Sequence, residues 1–404
     1  MQVPRFEPFA ALRYAATLPL DDVAAPPYDV LSAADVEALL ARHSRNIVAI
    51  DVPREQDGPE RYELAAVRLQ AWTAEGTLQR DPAPTFTLYR MFFTDATGTA
   101  RHTVGVLGGL EVVDEGAGGV LPHERTTPKA KTDRLDLTRA TGANLSPVWG
   151  LSLTAGLTDL LRAPGEPVGE CTDEQGVRHV VERVSDSQRV AAIAAAVAAS
   201  PVLIADGHHR YAISRTFRDE VRARLGRDTG AELTLTYVAE LVEDQLSIDA
   251  IHRLYTGITA DQLAAMLAPS FDQTEAGPVD ASFAGEVVRR GALCLVRPDG
   301  TGIWLTPTAA LVQQVRALDG AYLEHALEGQ DVEVSYQHGV DHVLQAVASG
   351  RAGCGVLIRP TSIEEIRRTA DERLLMPPKS TFFTPKLRTG LVIRPLDLDL
   401  ALEG

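Results

Sequence analysis

Alternation of apolar and polar positions divides the chain into short, well-punctuated elements. "AADVEALLARH" repeats apolar residues at helical spacing behind Ser32, a natural cap, while Pro26 and Pro27 enforce an extended entry. "IVAIDVP" is a continuous apolar run that predicts a strand, and "PERYELAAVRLQAWTAEGTL" predicts an amphipathic helix closing near Gly76. "TFTLYRMFFTDATGTARHTVGVLGGLEVV" predicts paired strands around a turn at Asp95 to Gly98, with a second hairpin-like turn in "DEGAGG". An alanine-rich helix, "SQRVAAIAAAVAAS", leads into "VLIADGHHRY", an interior strand ending in Asp-Gly. Beyond it, "RYAISRTFRDEVRARLG" carries Ala212, Ile213, Phe217 and Val221 on one side of a helix. "ELTLTYVAELVED" and "ALCLVRP" predict further strands, and "TADQLAAMLAPSF" and "ALVQQVRALDGAYLEHAL" further helices.

Strands and helices that intermix throughout predict a mixed α/β, sheet-centred protein. No internal repeat breaks residues 1–404 into arrays. The Gly- and Pro-containing stretch Ala163 to Gly169 is the best candidate for a boundary, giving lobes 1–165 and 166–404.

Composition narrows the function. Apolar residues make up 45% and charged residues 23% of 404 positions, as in an ordinary globular protein, and the formal net charge is −16. That balance repels nucleic acid and anionic membranes, which counts against a nuclease and leaves a small-molecule substrate as the expected partner. Cys171, Cys294 and Cys354 lack metal-type spacing and suggest a reducing compartment. "MQVPRFEPFAALRY" has no signal pattern, and Ser200 and Pro201 interrupt the apolar stretch from Val190 to Ala205, so a cytoplasmic location is expected. Composition leaves a homo-oligomer open.

The candidate chemistry sits in three clusters. In Asp206-Gly207-His208-His209-Arg210, glycine permits unusual dihedrals and close approach of a ligand, and the helix start offers unpaired N–H groups and a positive dipole end. The histidines add basic groups, and Arg210 can grip phosphate oxygens with a two-pronged fork. In "HERTTPKAKTDR", Arg125 and Lys129 could pair with phosphate oxygens, Thr126 and Thr127 could donate hydroxyls, and Glu124 could serve as base or metal ligand. The plain alternative is a solvated charged loop. In "MPPKSTFFTPK", two prolines stiffen the chain before Lys379, Ser380 and Thr381, which suits a phosphate clamp as well as a surface turn. The sequence contains no Walker-type loop, no strand-linked G-x-G-x-x-G, no G-x-S-x-G elbow and no H-E-x-x-H helix. An inventory of Arg, Lys and His with a carboxylate or two suits phosphoryl transfer, in which alignment and charge neutralisation do most of the catalysis.

"LPHERTTPK" with Asp133-Arg134, "ANLSPVW", "DGHHRY", the pair His252-Arg253 and "MPPKSTFFTPKLRTGLVI" together resemble, in order and over nearly the whole chain, the bacterial and archaeal family called domain of unknown function ten-fifteen. Some members resemble free-serine kinases. The resemblance therefore implies transfer of a phosphoryl group from pyrophosphate, ATP or ADP to free L-serine or a similar hydroxyl metabolite. It implies Glu124 or Asp206 as proton acceptor and Mg²⁺ with Asp206 as a ligand. Arg125, Lys129, Gly207, His208, His209, Arg210 and Lys379 would bind phosphate, and Thr126, Asn144, Ser146, His252, Arg253, Ser380 and Thr381 would bind substrate. The block Asp206 to Arg210 is also similar to the phosphate-binding motif of the ParB and sulfiredoxin-like fold, so a non-catalytic phosphate-binding regulator is the alternative. The chain departs from the family pattern at Pro378, Phe382, Thr384 and Ile251, where glutamine, two tyrosines and threonine are usual, which bears on the substrate more than on phosphate binding.

Overall fold

The structure is a computed structural model that describes residues 3–95, 98–124 and 132–398. Among these residues no helix is long and apolar enough to cross a membrane. The fold is mixed α/β. The chain divides into two compact units, 1–246 with 385–404, and 247–384. The expected boundary at Ala163 to Gly169 lies inside the first unit, where it leads into a strand of the main sheet.

Nine strands form that sheet: β1 (Phe6–Glu7), β2 (Phe86–Thr94), β3 (Ala100–Glu111), β4 (Val120–Pro122), β5 (Val148–Ser152), β6 (Glu166–Thr172), β7 (Arg178–Val184), β8 (Val202–Asp206) and β9 (Leu233–Glu240). The spatial order is β4-β8-β5-β9-β3-β2-β7-β6, with β1 paired to β3. β2 and β3 form the expected hairpin. The "DEGAGG" turn does not make a second one, because β4 leaves β3 and pairs in parallel with β8, Val202 opposite Val120 and Ile204 opposite Pro122.

Helix α1 (Ala33–Arg42) starts at a capping box in which Ser32 and Asp35 satisfy each other's backbone N–H groups. "IVAIDVP" is not a strand. Asn46 Oδ1 accepts the Val48 N–H and starts a single helical turn, α2 (Val48–Asp51), while Ile47, Val48 and Ile50 are driven into the core by their apolar surface. Helix α3 (Arg61–Ala74) packs on the same cluster through Ala65, Leu69 and Trp72, and α4 (Thr132–Thr141) through Leu137. Across the sheet, α5 (Ser187–Val197) buries Ile193 and Val197 against Phe86, Val202 and Ile204. Helix α6 (His208–Leu225) buries Ile213, Phe217 and Val221. The C-terminal segment is threaded into this unit by bridges from Thr389 to Ala25 and from Ile393 to Leu12, and by pairing of Arg394 with Asn144.

The second unit is built on a six-stranded antiparallel sheet of β10 (His252–Thr256), β11 (Phe271–Pro278), β12 (Leu293–Val296), β13 (Thr301–Pro307), β14 (Glu333–Gln337) and β15 (Cys354–Leu357), ordered β11-β13-β12-β15-β10-β14. Helix α7 (Ala260–Leu267), started by a Thr259–Gln262 capping box, covers one face. "ALVQQVRALDGAYLEHAL" yields two helices, Ala309–Gln314 and α8 (Asp319–Ala326). A further helix, α9 (Ile363–Glu372), follows a Ser362 cap.

Candidate functional site

The parallel pairing of β4 with β8 decides where the motifs meet in the first unit. With Pro122 opposite Ile204, residues 123 and 124 leave the sheet beside Asp206 and the start of α6. His123 is fully buried, and its Nδ1–H donates to the Ile204 carbonyl at 2.5 Å. Its other nitrogen, Nε2, lies 3.8 Å from the Glu124 carboxylate, and its ring centroid lies 5.0 Å from that of His208. Burial lowers the His123 pKa to about 4. Burial, with the neighbouring His123, His209 and Arg210, lowers that of His208 to about 3. Near neutral pH both are therefore uncharged. His208 thus carries hydrogen-bonding capacity and not the positive charge expected from sequence. Its Nε2 is buried and makes no hydrogen bond among the described residues.

Gly207 caps α6 with φ +86°, a left-handed conformation that disfavours a side chain. A Cβ there would also stand 3.1 Å from the Arg210 guanidinium carbon, so the arginine lies directly over the glycine. Arg210 donates through Nη1 to the Pro147 carbonyl in "ANLSPVW", and its Nη2 is 3.6 Å from Asp206 Oδ2. The same carboxylate oxygen accepts from Lys386 Nζ at 3.0 Å, and Oδ1 accepts the Gly207 N–H. Burial would raise the Asp206 pKa, but Lys386, Arg210 and the Gly207 N–H outweigh it and hold the carboxyl well below its ordinary range. Such a carboxylate stays ionised and is a weak proton acceptor, which argues against Asp206 as the general base and for its acting as an anchor of two cations.

Asp206 is also a poor ligand for Mg²⁺. Both oxygens are engaged, and a divalent ion would have to displace Lys386. Among the described residues no cluster of three or more His, Cys, Asp or Glu side chains fits a metal ion.

A second cluster lies on the other side of Arg210. Asp51 is buried and accepts from Arg134 Nη1 at 3.1 Å and from Ser146 Oγ at 3.2 Å, while the Arg134 guanidinium stacks 4.0 Å over Tyr28. Burial raises the Asp51 pKa against the pull of Arg134, Ser146 and Arg210. These residues line a cavity of about 50 Å³, enough for ordered water. Asn144 also lines it. Its Oδ1 accepts from the Leu235 N–H and from Arg394, which makes it a brace between strands more than a substrate contact.

Other expected residues fall elsewhere. Arg125, Thr126 and Lys129 lie outside the described residues. His209 occupies the second position of α6. Lys379, His252, Arg253, Ser380 and Thr381 belong to the second unit. There His252 is buried with a pKa lowered by burial to about 4, and its Nδ1 accepts the Ile358 N–H at 3.2 Å, which holds β10 to the end of β15. Thr381 is likewise buried, and Ser380 Oγ donates to the Pro377 carbonyl. Lys379 has φ +58°, and its carbonyl accepts from Arg253 Nη1. Sequence reasoning missed Lys386, Asp51, Tyr28 and His123. Lys386 is the second lysine of "KSTFFTPK", and only the return of the C-terminal segment into the first unit distinguishes it from Lys379.

Residues 6–321 match the model of a family described as Protein of unknown function (DUF1015). The chain belongs to that family. Solved structures similar to this DUF1015 member include a conserved hypothetical protein from Pyrococcus furiosus, at 14% identity and TM-score 0.37, covering 69% of this chain and 93% of that one. They also include a free serine kinase in complex with AMP, at 14% identity and TM-score 0.37, covering 69% and 88%. A third is SbnI with C-terminal truncation from Staphylococcus aureus, at 14% identity and TM-score 0.38, covering 73% and 90%. No curated protein matches the DUF1015 sequence.

Proposed function

We propose that this protein is a phosphotransferase that moves a phosphoryl group from a nucleotide or pyrophosphate to a small hydroxyl metabolite, with free L-serine the first acceptor to test. The observation that carries the reading is the Asp206–Lys386–Arg210 clamp at the start of α6. Two cations converge on one carboxylate at a helix N-terminus, with the Arg210 guanidinium seated over Gly207, and an incoming phosphate can take over hydrogen bonds that Asp206 holds meanwhile. Arg210 and Lys386 would grip the donor phosphates, with His208 Nε2 as a neutral partner. Glu124, beside His123, would take the proton from the acceptor hydroxyl. Arg125, Lys129 and Thr126 are proposed as further phosphate and substrate contacts on the same segment. Catalysis would come from alignment and charge neutralisation.

Phosphorus NMR on mixtures of pure protein, Mg²⁺, a panel of amino acids and pyrophosphate, ATP or ADP tests the reading. A new phosphomonoester supports it. Binding of donor without consumption favours a regulatory phosphate sensor.

A further inference from the structure

The second unit contains a cavity of about 550 Å³, in the size range of small-molecule sites and formed entirely by residues of that unit. Part of its wall is apolar: Leu318 and Ile358 are buried, and Val288 and Val312, about half exposed at 52% and 50%, stand at the rim, while Thr361, Ser362 and Ser380 add hydroxyls. Most of its charged groups are already neutralised. Asp319 accepts from the backbone N–H, Nε and Nη2 of Arg359, and Glu365 accepts from Arg316. Arg253 also lines the cavity.

Two donors remain unused. Arg359 spends Nε and Nη2 on Asp319, while Nη1 makes no hydrogen bond among the described residues and lies over Gly291, where a Cβ would approach it to 3.8 Å. Tyr322 is only 3% exposed, yet its hydroxyl makes no hydrogen bond among the described residues, although it lines the cavity near Arg359, Asp319 and Glu365. Because Tyr322 lines the cavity, that hydroxyl is open to a molecule bound there.

We propose that this cavity binds a small organic carboxylate, its oxygens taken by Arg359 Nη1 and the Tyr322 hydroxyl and its apolar body packed on Leu318, Ile358 and the rim valines. The site is independent of the phosphoryl-transfer reading. The apolar part of the wall gives a carboxylate on an aliphatic or aromatic body a contact that inorganic phosphate cannot make.

Isothermal titration of the full-length protein with 3-phenylpropanoate, its neutral amide and inorganic phosphate tests the proposal. The carboxylate is expected to bind at least about tenfold more tightly than either control. Tyr322→Phe should weaken it about threefold, and Val312→Glu, a change at an exposed position that leaves folding intact, about tenfold by placing like charge at the mouth. Absence of carboxylate binding, equal binding of acid and amide, tighter binding of phosphate, or unchanged affinity in both variants would overturn it.

Discussion

Lys386 Nζ stands 3.0 Å from Asp206 Oδ2, although 180 positions separate the two residues in sequence. The contact ties the C-terminal segment to the strand end that begins the "DGHHR" turn, and it joins the lysine to the arginine that a phosphate would meet. Lys386→Met should weaken donor binding about tenfold, whereas Lys386→Arg should restore most of it, because charge is kept within reach of Asp206. Calorimetric titration with ADP and with pyrophosphate measures both variants.

Gly207 serves backbone and side chain at once. Gly207→Ala should destabilise the fold by about 1–2 kcal/mol through its left-handed φ, and should also push Arg210 off its seat. Thermal unfolding reads the first effect and donor affinity the second. A variant that unfolds earlier but binds donor normally would show that the seat of Arg210 does not matter.

Arg210→Lys keeps the charge and loses the planar fork that reaches both the Pro147 carbonyl and Asp206. Nucleotide-induced stabilisation in a thermal-shift titration at ~100 times the wild-type Kd should shrink by about half, the effect of a tenfold weaker Kd. An equal shift in wild type and variant would move the clamp away from residue 210.

The neutral histidines predict the acid limb of stability. His123 and His208 have pKa values near 4 and 3 in the fold, against an ordinary value of about 6.5 in the unfolded chain. Between about pH 6.5 and these lower values the unfolded chain binds more protons than the native one, so this contribution is present above about pH 6.5 and is lost as pH falls toward 4 and 3. Asp206 adds a loss in the same direction below the ordinary carboxylate range, because its folded pKa is also depressed. The denaturation midpoint should therefore fall from pH 7 to pH 4 in the wild type, and fall less steeply in His208→Gln.

Much of this was legible in the sequence where local chemistry decided the outcome. Ser32 and Thr259 cap their helices, Gly76 closes α3, and the apolar run before Asp206 makes β8 and presents the "DGHHR" turn at a helix start. It was illegible where tertiary context decided. "IVAIDVP" has a strand's composition, but capping by Asn46 and burial of Ile47 and Ile50 from several sides made it a helical turn ending in Asp51. No periodicity could show that β4 runs parallel to β8, which brings Glu124 beside the "DGHHR" turn. Histidine spacing likewise gave no sign that His252 is a backbone brace and that His208 is uncharged. Charge state follows from burial, which one-dimensional pattern does not record.

Proton removal by Glu124 beside the phosphate clamp is the step on which the proposed transfer depends. The most direct measurement is the amount of O-phosphoserine formed from L-serine with excess nucleotide or pyrophosphate, in wild type and in Glu124→Gln, with donor binding measured on the same samples. Catalysis by this site predicts product in the wild type and a loss of about a hundredfold to ten-thousandfold in rate for Glu124→Gln with donor affinity nearly unchanged. Equal rates in the two proteins, or donor binding in the wild type with no phosphorylated serine, would contradict it.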